Sequence, residues 1–175
     1  IQYLITKKYK NRPCGVENID FYPSDDANTR LVNIQYIDRY HIVDIYIGNA
    51  ENCPSPLTPT NLRNPYSIAE HGRESAVEMY KAYFYHRYVT DESFRNTVHN
   101  CKGETLGGWS YPSKCHGEVI IDLIEVIESS SGGIQILKYI KQEVTDLDLQ
   151  LLNIEGLKFR EECIEQLDQA IQKSQ

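Results

Sequence analysis

Thr105-Leu106-Gly107-Gly108-Trp109-Ser110-Tyr111-Pro112-Ser113-Lys114-Cys115-His116-Gly117-Glu118 runs directly into Val119-Ile120-Ile121-Asp122-Leu123-Ile124, and the reading of this stretch decides the fold. A short apolar run, a loop bearing glycine and proline, and apolar residues at helical spacing read as strand, loop and helix. The helix carries Cys115, His116 and Glu118 in its first turn. Amides at a helix start lack internal acceptors and carry partial positive charge, so such a turn suits an anion, a phosphate or a reactive thiolate. The pattern predicts an α/β domain, a small mixed sheet with flanking helices, in which ligands enter at the carboxyl ends of strands.

Upstream, Val77, Tyr80, Lys81, Phe84 and Tyr88 recur at three and four, which predicts a helix from Glu74 to Val89. Asp91 is a natural N-cap for a second, shorter helix through Phe94 and Val98 to about Asn100. Two runs, Leu31 to Ile37 and Ile42 to Ile47, alternate at period two and are close enough to form a hairpin. Between Asn49 and Asn64 stand Pro54, Pro56 and Pro59, which remove amide donors and fix φ, so an irregular loop follows the second strand. Its end supplies Asn64, His71, Arg73 and Glu74 as candidate polar contacts on the lip of a crevice. The plainer alternative is a surface loop with Arg73 and Glu74 as first-turn charges.

The ends read differently. Residues 1–30 form an extension with one expected strand near Gln2 to Thr6, and residues 31–128 form the α/β core. Ser129-Ser130-Ser131-Gly132-Gly133 has a linker composition. Beyond it, in 134–175, Leu137, Ile140, Val144, Leu147, Leu151 and Ile154 are spaced alternately by three and four. Gly156 interrupts, and Ile164, Leu167 and Ile171 resume. A helical hairpin folded on the domain fits this appendage, but the narrow seam and acidic flanks favour a coiled-coil-like helix pair that makes a homo-oligomer.

Charge narrows the function. Residues 1–115 hold 13 acidic and 13 basic side chains while 116–175 hold 12 and 5, so the whole net charge of −7 sits in the last third. The only basic stretch is Lys7 to Arg12, which argues against nucleic acid as a partner. No apolar run approaches the roughly 20 residues that span a bilayer, and no secretory signal is recognisable. Five cysteines without paired spacing point to a reducing, cytoplasmic setting. Walker, His-Glu-x-x-His, Gly-x-Ser-x-Gly and dinucleotide-binding patterns are missing, and neither cofactor nor metal is expected.

The chemistry therefore rests on few groups. Cys115 at a helix start is a candidate nucleophile, yet neighbouring helical side chains diverge by about 100°, so Cys115 and His116 make a poor dyad. His116 and Glu118 are candidate acid–base groups, helped by Arg73, Glu74, His71 or His99. Against this, Glu118 also suits a first turn as a plain acid and His116 as a hydrogen-bonded structural residue. Trp109 and Tyr111 are candidates to stack on a base or sugar, or to anchor the core.

Several of these elements recur together in a known family. Val43-Asp44-Ile45-Tyr46-Ile47-Gly48, Asn64-Pro65-Tyr66, Gly72-Arg73-Glu74, Leu106-Gly107-x-Trp109 and Cys115-His116-Gly117-Glu118 stand in the order of domain-of-unknown-function family 4326, and the resemblance covers roughly Leu31 to Ile127. That family occurs in bacteria, archaea and viruses. It typically carries cysteines on both sides of the tryptophan, where this chain has Gly108 and Ser110, so a four-ligand zinc site built from those thiols and Cys115-His116 is not available. The convergence of three segments predicts a nucleotide- or nucleoside-like ligand in a crevice between the Asn64-Pro65 loop and the Trp109 to Glu118 turn. The alternative is a non-enzymatic scaffold, viral or phage-derived, that oligomerises through its C-terminal helices.

Overall fold

The computed structural model describes Tyr22, residues 28–36 and residues 42–175. The expected strand near Gln2 and the basic Lys7 to Arg12 stretch lie outside these residues. Three short strands form the sheet: β1 (Arg30–Asn33), β2 (Ile45–Tyr46) and β3 (Thr105–Gly108), in the order β1-β3-β2. Leu31 stands opposite Leu106 on one side of β3 and Ile45 opposite Leu106 on the other, both pairings parallel.

The expected hairpin between β1 and β2 is thus corrected. The two strands point the same way with β3 between them. Leu31 and Val32 point to opposite faces and are both buried, as are Leu106 and Tyr46, so these strands need neighbours and cover on all sides. A parallel β2–β3 pair also needs a long crossover, and the helices after residue 67 supply it. The three-stranded sheet is parallel rather than mixed; beside it, the backbone of Tyr22 exchanges hydrogen bonds of 3.0 and 2.7 Å with Leu31 in an isolated antiparallel bridge.

Among the described residues, six α-helices pack on and beside this sheet. They are α1 (Ile68–His71, one turn), α2 (Arg73–Thr90), α3 (Glu92–His99), α4 (His116–Ser129), α5 (Gly133–Thr145) and α6 (Ile154–Lys173). Helix α2 matches the predicted apolar stripe and buries Val77, Tyr80, Phe84 and Tyr88. Asp91 caps α3 as its sequence position predicts, its carboxylate accepting from the Phe94 amide at 3.1 Å. No described helix is long and apolar enough to cross a membrane.

The C-terminal helices lie against α2. Ile140, Val144, Leu147, Cys163 and Leu167 are buried in the same apolar cluster as Tyr85, Phe94 and Leu123. Most of the heptad seam is therefore covered within the chain, in the manner of the helical hairpin that the sequence left as the plainer choice. The helix break also falls earlier than Gly156. Residues 146–153 make the turn, and Asn153 caps α6 by accepting from the Gly156 amide at 2.7 Å. Ile154, at the turn, is 86% exposed.

Candidate functional site

At the carboxyl ends of the three strands, the loop after β2, the loop after β3 and the start of α4 enclose a crevice of about 580 Å³. That is a volume usual for small-molecule sites. Parallel strands bring this about: they end on one side of the sheet, so their following loops must gather there.

Two glycines bring the walls close. A Cβ on Gly117 would stand 2.8 Å from Leu31 Cδ1 and 2.9 Å from Ile47 Cδ1, so any larger residue would have to push those side-chain ends aside for α4 to start this close to the sheet. A Cβ on Gly48 would meet the Tyr46 hydroxyl at 2.4 Å, so glycine there lets the Tyr46 ring fold back over the chain. From that position the hydroxyl accepts from Trp109 Nε1 at 2.9 Å and donates to the Asn49 carbonyl at 2.8 Å. The indole is thereby held at the crevice wall with 40% of its surface exposed. Asn33, buried at the end of β1, donates to the carbonyls of Trp109 and Tyr111 and accepts from the Gln35 amide at 2.9 Å, which fixes the loop that carries the indole.

His116 lies on the wall at the first turn of α4. Its Nε2 is 2.8 Å from the Ile47 carbonyl, which can only accept, so Nε2 carries the proton and the neutral ring keeps Nδ1 as an acceptor. The Tyr80 ring packs edge-on at 4.9 Å, and Tyr80 in turn donates to the Leu62 carbonyl at 2.9 Å. Burial pushes the imidazole down to about 4, against a smaller opposing pull from the carbonyl. The ring is consequently neutral at physiological pH. Cys115 is the helix N-cap residue, and burial pushes its thiol up, against a weaker opposing effect from the Gly117 and Glu118 amides. A thiol so placed stays protonated near neutrality and is a poor nucleophile.

Of the residues singled out from the sequence, Asn64, Trp109, Cys115 and His116 line the crevice together. Asn64 is already engaged, donating to the Ala76 carbonyl at 3.2 Å and accepting from the Tyr66 amide at 2.9 Å. The others lie off the wall. Arg73 donates to the Lys114 carbonyl at 3.0 Å and so braces the loop before α4, while Glu74 pairs with Lys114 at 2.6 Å on the surface. His71 is exposed with its ring 6.2 Å from Tyr66, and Tyr111 faces Tyr22 at 6.2 Å. His99 is bonded to the Tyr88 hydroxyl at 2.8 Å. Glu118 faces Asp122, and burial, then that neighbour, push its carboxyl up.

The crevice also contains groups that sequence reasoning passed over: Asn49, Asn52, Ser67, Ser110 and Tyr66. Tyr66 has a buried hydroxyl without a hydrogen-bond partner. The available signal was the Tyr46-Ile47-Gly48 run, which placed a strand end immediately before Asn49. Among the described residues, no three His, Cys, Asp or Glu side chains cluster as a metal site would require.

Fold and site define a small α/β domain with a crevice at the carboxyl edge of a parallel sheet. The family model described as Domain of unknown function (DUF4326) matches residues 25–126, and the chain belongs to that family. Neither the curated proteins nor the solved structures contain a match to it.

Proposed function

We propose that this domain binds or processes a nucleotide- or nucleoside-like small molecule in the crevice, with His116 on its wall. The observation that carries this reading is the indole of Trp109, clamped by Tyr46 yet 40% exposed beside a wall of carboxamides and hydroxyls. A flat aromatic face gives a heterocycle a stacking surface, and Asn49, Asn52 and Ser110 offer donors and acceptors for its edge. Nδ1 of His116 supports a hydrogen bond accepted from a bound group, since Nε2 is committed to Ile47. The free thiols of Cys53, Cys101, Cys115 and Cys163 support a reducing compartment.

Thermal-shift screening against nucleosides, mononucleotides and dinucleotides tests the reading. Stabilisation by at least one of them is expected, and it should be lost in His116→Ala. If no compound raises the melting temperature, the crevice has been given the wrong class of ligand.

A second reading, self-association through the C-terminal helices, draws on the exposed Leu149, Ile154 and Leu157 near the start of α6. It predicts a dimer by light scattering that Ile154→Asp dissolves. A monomer at all concentrations removes it.

A further inference from the structure

The crevice has a chemical bias that narrows the ligand class, and the narrowing rests on the reading just given. Among the described residues, no Asp, Glu, Lys or Arg side chain lines it. Among the described residues, the basic side chains of the surrounding segments stand off the wall: Arg73 donates to the Lys114 carbonyl and keeps its charge behind Cys115, Lys114 is paired with Glu74, and Arg63 is exposed without lining the crevice. What remains is a neutral imidazole with one acceptor nitrogen, the carboxamides of Asn49 and Asn52, the Ser67 and Ser110 hydroxyls, and an indole face.

A phosphate would bring about −1.5 to −2 charges into this wall. Opposing it stands the start of α4, equivalent to about half a positive charge. Moving a multiply charged group out of water without a cation to pair it is strongly unfavourable. The helix itself makes matters worse, because Glu118 and Asp122 follow within its first two turns and the last third of the chain carries the whole net charge of −7. An uncharged heterocycle meets none of these costs and still finds stacking and hydrogen bonds.

We infer that the crevice takes an uncharged nucleoside or free nucleobase and discriminates against the phosphorylated nucleotide. Trp109 is the only tryptophan in the chain, so its fluorescence reports this site directly. The test titrates the full chain with adenosine, guanosine, cytidine and uridine and with the 5′-monophosphate of each, following indole emission at low and moderate salt. At least one nucleoside should bind about tenfold or more tighter than its monophosphate, with an affinity that salt leaves unchanged. Asn52 is exposed at the mouth, so Asn52→Lys should fold normally and narrow the gap by favouring the monophosphate. Equal binding of the two forms, or tighter binding of the monophosphate, overturns this inference while leaving the crevice reading intact. Silence from every compound defeats both. A gap that Asn52→Lys leaves unaltered puts the ligand elsewhere and overturns the assignment to this wall.

Discussion

At the scale of single residues, His116 has the most consequential environment, because its acceptor nitrogen and its neutrality follow from one hydrogen bond and one burial. Its folded pKa of about 4 lies below the ordinary histidine value of 6.5, so the unfolded chain takes up this proton first as the medium is acidified. The associated stability is complete above pH 6.5 and is lost as pH falls from there towards 4. Glu118, Asp122 and Glu143, whose carboxyls burial pushes up, act in the opposite sense over their own range, but they are common to any pair of proteins that differ only at 116. His116→Gln should therefore lose less stability than the parent between pH 7 and 4.5, by about 2 kcal/mol, measured as urea unfolding at the two values. Parallel losses in the two proteins would show that the imidazole is not held as described. Why the sequence disclosed His116 and Trp109 but not Asn33 is a matter of distance along the chain. The first two share a loop and a helix start, whereas Asn33 acts on a backbone carbonyl 76 residues away.

Among the elements, helices were legible and strand pairing was not. Helix α2 repeats its apolar positions over 18 residues, enough for a stripe to declare itself, and the Asp91 cap marks the next start. Strands of 4, 2 and 4 residues are too short for alternation to identify a partner, and nothing local says that β1 and β2 share a third strand. The glycine of Cys115-His116-Gly117 is visible in the sequence, but its reason is the approach of Leu31 and Ile47, which only the assembled sheet reveals. Gly117→Ala should cost about 1–3 kcal/mol in a urea titration, through displaced side chains at the floor of the crevice. It should also perturb Trp109 emission if α4 lifts away from the sheet. An alanine variant as stable as the parent would mean that the contact between α4 and β1 is looser than its geometry implies.

For the whole molecule, the C-terminal helices decide what counts as a folding unit. The serine- and glycine-rich 129–133 stretch has the composition of a boundary, yet Ile140, Val144 and Leu167 are fully enclosed alongside side chains of α2 and α4. A chain ending at Ser131 should expose that surface, bind a hydrophobic dye such as ANS and melt at a lower temperature with reduced cooperativity. A sharp transition unchanged by the truncation would show that residues 25–126, the span of the family match, stand alone. The heptad spacing could not distinguish these outcomes from the sequence, because a seam closed by a partner helix and one closed by the chain's own core look identical in spacing.

The placement of β3 between the other two strands also bears on synthesis. During translation, the segments that become β1 and β2 emerge before β3, the strand that lies between them and pairs with both. The sheet cannot begin to close until Thr105 to Gly108 leave the ribosome, and the ligand-facing loops gather only after that. Nascent chains halted before this point should be readily cut by protease, and those halted well beyond it should resist.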